Sequence, residues 1–240
     1  MSSMVGTDIR PREFTDISTV PGVFLLATGL VIFLLPFTLA YSAPSGWSTG
    51  YIIAMLVLGL ILLVIFGLHE RYTAQRPFIT YSLLTDRTII GACLLCACYQ
   101  ISYYCWSSYY SSFLQVVTEL SIAEAGCVMN TFDVVSGALL LAVGFAISKT
   151  GYFRWLLYIA IPLYILGQGL MIYFRHANTS VGYLVMCQIL ISVGGSVFIL
   201  VQQVAVLAAA DHQQVASALA LLSMVGWIGG AIGTCHIERF

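Results

Sequence analysis

The chain has 240 residues, 60% of them hydrophobic and 8% charged, with a formal net charge of −1. A soluble domain carries about 25% charged residues, so a water-facing globule is excluded, and the near-neutral balance gives no basic footprint for nucleic acid. The apolar residues fall in long blocks rather than short alternating segments, which points to an all-α, polytopic transmembrane helix bundle and away from a membrane β-barrel.

Residues 1–19 are polar and lack the short apolar core of a cleaved signal peptide, so they read as a cytoplasmic N-terminal segment, and the first span must act as the insertion signal. Seven hydrophobic segments follow: Val20–Tyr41, Tyr51–Leu68, Thr88–Leu114, Ala125–Ser148, Phe153–Phe174, Val181–Ala210 and Gln214–Thr234. Pro36 is expected to kink the first. The stretch 69–87 is polar, basic and carries Pro77, and it reads as a connecting loop between a two-helix unit (20–68) and a five-helix unit (88–234), with a tail at 235–240.

Lys and Arg stay on the cytoplasmic side of a membrane. Arg10, Arg12, Arg71, Arg76, Arg87, Lys149 and Arg154 all fall on one side of this span order, and only Arg175 and Arg239 fall on the other. The N-terminus is therefore placed in the cytoplasm. The sequon Asn178–Thr179–Ser180 lies in an expected outer loop.

Polar residues inside spans are expensive and tend to mark pathways. In the third span, Tyr99, Tyr103, Trp106 and Tyr110 recur at helical spacing on one face. They read either as a cavity for a bulky, partly apolar ligand or as an interfacial aromatic belt; the belt suits Tyr109 and Tyr110 near the outer end. Cys93, Cys96, Cys98 and Cys105 cluster in the same span and read as small apolar packing residues rather than a metal or redox site. In the fourth span, Asn130, Asp133, Gly137, Gly144 and Ser148 share one face. Asp133 reads as a proton- or substrate-binding carboxylate, with a water-reaching carboxylate near the helix end as the alternative.

The sixth span carries Gln188, Ser192, Gly195, Ser196, Gln202 and Gln203, mostly on one stripe. Gly195 and Ser196 suit close packing, whereas Gln188 and Gln202 suit a cavity wall. In the seventh, Gly229-x-x-x-Gly233 is a close-packing motif. Gly144 near a helix end, Lys149 and Gly151 read as a tight basic hairpin. No catalytic constellation, cofactor motif or metal site is read from the chain, so an enzyme is not expected.

The stretches PREFTDI, LLATGLVIFLLPFTLA, LLTDRTIIGACLL, YYCWSSYYSSFLQVV, LSIAEAGCVMN, LYILGQGLMIYFR, GYLVMCQILIS and HQQVASALALLSMVGWIGGAIG follow one another in collinear order over nearly the whole chain. Through them the chain resembles the fungal siderophore–iron transporters of the major facilitator superfamily, which have fourteen spans. The resemblance implies that the first two spans are the inserted linker pair and the next five the opening helices of the C-terminal half. Six N-terminal spans and a final one would then be missing. It further implies alternating-access, proton-coupled uptake of ferric siderophores at the plasma membrane or an endosomal or vacuolar membrane, with protons, the lipid bilayer and the missing N-terminal half as partners.

In the superfamily's cytoplasmic loop motif, Gly144, Lys149 and Gly151 match, and Ser148 stands where an acid is common. Gln202 stands where relatives carry a Glu before the residue matching Gln203. A multidrug exporter of the same superfamily is the nearest alternative, and a non-transporting fragment a further one. Seven spans also invite a heptahelical receptor, but the cytoplasmic N-terminus opposes it, and a retinal protein needs a lysine in its last span, where there is none.

Overall fold

A computed structural model of the chain describes residues 19–72, 81–118, 120–176, 179–211 and 213–237. Arg10, Arg12, Arg76, Pro77, Asn178 of the sequon and Arg239 lie outside the described residues. Among those described there are eight α-helices and no strand: α1 (Thr19–Leu39), α2 (Gly50–Tyr72), α3 (Tyr81–Thr85), α4 (Arg87–Val116), α5 (Ile122–Thr150), α6 (Arg154–Phe174), α7 (Val181–Ala209) and α8 (Val215–Ile237). All but the five-residue α3 are long and apolar enough to cross a membrane.

Local sequence sets the helix ends. The Asp86 carboxylate accepts a bond from the Thr88 N–H at 2.7 Å and caps α4, separating it from α3 in a stretch that reads as loop from sequence. Ser121 and Glu124 form a reciprocal capping box at the start of α5. Gly151, at φ 69°, supplies the left-handed residue that stops α5, and its N–H bonds the Ile147 carbonyl at 2.8 Å. Gly144 does not sit at a helix end as the sequence suggested. α5 continues through it to Thr150, because one glycine costs a helix only about 1 kcal/mol. α1 carries Pro36 within its last turn and then tightens into a 3₁₀ turn over Ala40–Ser42.

The chain divides into two compact units, Met1–Pro36 with Ala43–Phe78, and Phe37–Ser42 with Ile79–Phe240. The first contains an antiparallel pair. Gly22, Leu26, Gly29 and Pro36 form one buried stripe on α1, and Ile52, Gly59 and Phe66, seven residues apart, form the stripe on α2. A Cβ on Gly59 would lie 2.7 Å from the backbone N and Cα of Phe33, so this helix crossing requires glycine.

The second unit is built around α7, with fourteen of its 29 residues buried. α7 packs against α4, α5, α6 and α8, while α4 packs most extensively against α8. Small residues let these helices approach. A Cβ on Gly194 would meet the Tyr164 Cβ at 2.7 Å, and on Gly229 the Ala97 carbonyl oxygen at 2.7 Å. Ser192 donates to the Phe132 carbonyl at 2.8 Å and ties α7 to α5. Lipid offers no hydrophobic drive between helices, so close contact and buried hydrogen bonds of this kind supply the association energy.

Candidate functional site

A cavity of about 380 Å³ opens within the second unit, walled by α4, α5, α7 and α8. α4 contributes Tyr99, Gln100 and Tyr103, α5 Phe132 and Asp133, α7 Gln202 and Gln203, and α8 Ser223 and Trp227. Its chemistry is one carboxylate, three carboxamides and three polar aromatic rings, with no basic side chain among the lining residues. Such a wall offers hydrogen bonds to a polar ligand and flat surface to its apolar parts.

Asp133 is the twelfth of the 29 residues of α5, roughly 16 Å along the axis from its start at 1.5 Å per residue. That places it well inside the helix rather than at its end. Asp133 is exposed and lines the cavity. Tyr99 is 7% exposed and held by ring contacts to Tyr164 at 5.9 Å and Phe198 at 5.8 Å. Tyr103 stacks beside it at 6.3 Å and leans on Phe132 at 5.2 Å. The rings facing Asp133 are thereby fixed by packing behind them. Gln202 is 6% exposed, and its Oε1 is buried without a hydrogen-bond partner.

Of the residues singled out from sequence, Tyr99, Tyr103, Asp133 and Gln202 come together around this cavity, and Trp106 and Gln188 do not line it. Trp106 packs edge-on against Tyr103 at 5.6 Å and Tyr110 at 5.5 Å, and Gln188 is fully buried on α7. Tyr110 is 1% exposed and belongs to the core, so it is not an interfacial belt residue, whereas its neighbour Tyr109 is partly exposed. Tyr104, on another face of α4, covers Gly230 and Gly233 of α8. Ser148 and Lys149 lie in the last turn of α5, Gly151 caps it and Gly144 lies more than a turn earlier, with the Lys149 ammonium 5.6 Å from the Phe145 ring centre. Cys93 and Cys96 are free thiols buried in an apolar cluster, and Cys96 Sγ lies 3.7 Å from the Leu222 carbonyl oxygen.

Gln203, read from sequence on the same polar stripe as Gln202, also lines the cavity, and Gln100, Ser223 and Trp227 complete it without having been singled out. Trp227 and Ser223 sit in a span whose glycine motif drew attention to packing, and that packing is what turns them inward, since Gly226 and Gly229 lie against α4. A second, smaller cavity of about 320 Å³ has Arg87 and Arg154 among its lining residues, so the first residues of α4 and α6 lie at the same end of the unit, as the positive-inside reading requires.

No protein-family model matches the chain. Among curated proteins it is 63% identical over 214 residues to the siderophore iron transporter mirB of Emericella nidulans, a match covering 89% of this chain and 35% of that protein. It is 56% identical over 213 residues to the MFS siderochrome iron transporter D of Aspergillus fumigatus, covering 89% of this chain and 36% of that one. Siderophore iron transporter 1 of Schizosaccharomyces pombe is 36% identical over 224 residues, 93% of this chain and 37% of its own length. The chain thus spans about a third of the length of the curated relatives it matches.

Proposed function

The chain belongs to the siderophore–iron transporter family of the major facilitator superfamily, and from that membership we propose that it forms part of an importer of ferric siderophores. The observation that carries the reading is the 63% identity to a siderophore iron transporter, sustained over 89% of the chain. The role is transport rather than catalysis. In this reading α1 and α2 are a linker pair, and α4 to α8 are five helices of one transporter half.

The helix pairing supports the second assignment. Major facilitator halves are built from two inverted three-helix repeats. Here α8 packs on α4 as α5 packs on α7, and α6 adds to α7 on a further face. The set α4–α5–α6 and the pair α7–α8 fit that plan with one helix wanting. Such transporters bind substrate near the midplane between two halves that rock against each other. The cavity with Asp133 at mid-helix depth is one wall of that site, and the other wall belongs to an N-terminal half. Tyr99, Tyr103 and Trp227 offer surface to the ligand, and Gln100, Gln202 and Gln203 offer hydrogen bonds.

Asp133 takes the proton-coupling role. It is the one acid of the cavity, and no basic side chain shares its wall. Gln202 cannot take that role, because an amide does not titrate. The membrane is the plasma membrane or an endosomal or vacuolar one, with the N-terminus in the cytoplasm.

The test is uptake of labelled ferric siderophore by cells lacking their own importers. They would express this chain joined to an N-terminal half and a final helix from a relative. Uptake that depends on the pH gradient and is competed by unlabelled ferric siderophore is expected. Export of the label, or uptake indifferent to siderophore competition, overturns the import assignment.

A further inference from the structure

The cavity walled by α4, α5, α7 and α8 carries charge of one sign only. Asp133 is exposed and lines it, and no basic side chain is among its lining residues. The Asp133 carboxylate lies within electrostatic reach of the Tyr99 and Tyr103 hydroxyls. Phe132 and Trp227 bring the aromatic rings of the lining to four, and Trp227 is 60% exposed, so most of its ring surface is open. Gln202 lines the same cavity, is 6% exposed, and leaves its Oε1 without a donor.

Four classes of occupant can be set against this wall. An anion is repelled by Asp133 and finds no basic side chain to pair with. A hard metal ion takes about six or more oxygen ligands, and among the described residues no group of three His, Cys, Asp or Glu side chains converges. A wholly apolar molecule would strip water from the carboxylate and the carboxamides and return no hydrogen bond. A protonated amine on an apolar body answers each feature. Its charge meets the carboxylate, and its N–H groups donate to the carboxylate and carboxamide oxygens. Aromatic ring faces attract a positive charge, and Ile199 and Leu222 give the apolar body a surface to lie on.

We infer that this cavity is a binding site for amphipathic organic ammonium ions, a ligand class beyond the ferric siderophore proposed above. Asp133 is the counter-ion, Gln202 a neutral acceptor, and Tyr103 and Trp227 the ring surface. The inference stands on the lining of the cavity and is read without any uptake, so it survives or fails separately from the import assignment.

The experiment uses the whole chain in lipid nanodiscs, dialysed to equilibrium against three probes that share one body: naphthylmethylammonium, naphthylmethanol and naphthoate. Empty nanodiscs measure partition into lipid, which is subtracted. The ammonium should bind at least about tenfold tighter than the alcohol, because only it pairs with the carboxylate and draws on the rings as a cation. Naphthoate should bind no more than it does to empty nanodiscs. Asp133→Asn should leave the thermal midpoint unchanged and erase the preference, so that ammonium and alcohol bind alike. Asp211→Asn removes an exposed acid that does not line the cavity and should keep the preference whole. Equal binding of ammonium and alcohol by the unaltered chain overturns the proposal, and that comparison depends on no variant. Naphthoate binding as tight as that of the ammonium also overturns it. So does a preference that survives Asp133→Asn, or one that Asp211→Asn abolishes, since the net charge of the chain rather than this cavity would then select the cation.

Discussion

α2 and α7 are both long, apolar, membrane-length helices, yet three of 23 residues are buried in α2 and fourteen of 29 in α7. α2 has no polar side chain between Tyr51 and His69, and it touches its partner along a single seven-residue stripe. α7 is surrounded by four helices and places Gln188, Ser192, Ser196 and Gln202 among its buried residues. The contrast shows what burial means in lipid. A helix that faces lipid is uniformly apolar, and a helix buried in protein is the one that can hold polar groups, because only there do they find partners, water or ligand. Chemistry in this chain is therefore expected on the most buried helix and its neighbours, and stability in the lipid-facing pair rests on a few close contacts.

The largest effect should come from filling the tightest contact of α7. In Gly194→Leu the Cβ alone would stand 2.7 Å from Tyr164 Cβ and 3.1 Å from the Ala160 carbonyl oxygen. Separating α6 from α7 at their central contact should cost more than about 3 kcal/mol. Yield of monodisperse protein after detergent extraction should collapse. Gly137→Leu on α5, where an added Cβ meets nothing within 4 Å, should be extracted normally. Comparable losses at both positions would mean that helix propensity rather than contact sets the cost.

Gly59→Ala makes the matching change in α2, with the new Cβ 2.7 Å from the Phe33 backbone. The cost should be about 1–3 kcal/mol, confined to the α1–α2 pair. Limited proteolysis should cut between α2 and α4 more readily, and ligand binding by the completed transporter proposed above should not change. A binding defect equal to that of a cavity variant would break the separation between the two regions.

Asp133→Asn tests the polar side of the contrast. Asp133 is exposed and lines the cavity, so the protein should be made in normal amounts. Uptake by the completed transporter should fall at least about tenfold and lose its dependence on external pH, as for intramembrane acids that carry protons. Retained pH dependence would remove Asp133 from the coupling role. Gln202→Leu should reduce uptake less and leave the pH dependence in place, since its buried oxygen has no protein partner to lose.

The same contrast explains what was legible in the sequence. Runs of apolar residues broken by Arg, Gly and Pro marked all seven long helices, because lipid imposes that pattern without regard to tertiary contacts. The short α3 escaped, since five residues between Pro77 and Asp86 have no periodicity to read. Within α7 the polar stripe was visible but not its division. Gln202 meets the cavity, Ser192 bonds the Phe132 carbonyl, and Gln188 lies deep in the helix interface. Spacing along one helix cannot say which neighbour stands opposite each turn. Tyr109 and Tyr110 make the same point, since adjacent tyrosines near one helix end divide between exposed face and core by 100° of rotation. On α8, Ser223 and Trp227 gave no periodic signal, and the contacts of Gly226 and Gly229 with α4 decide their direction.

The smallest effect belongs to the outward face of α2. Leu60 is 56% exposed and Ile52 is 0% exposed, seven residues from Gly59 on the buried stripe. In water, truncating a leucine loses transfer energy wherever it is buried. In lipid the tails are as apolar as the side chain, so the transfer term vanishes and only helix–helix packing remains. Leu60→Ala should therefore change the stability of the α1–α2 pair by less than about 0.5 kcal/mol, with the better helix propensity of alanine acting slightly in its favour. Ile52→Ala forfeits buried packing and should cost more than about 1 kcal/mol. Thermal midpoints of both variants in bilayer nanodiscs give the comparison directly. Equal losses at the two positions would mean that Leu60 meets protein rather than lipid, and the single-stripe account of this helix would have to be replaced by one in which α2 is packed on two sides.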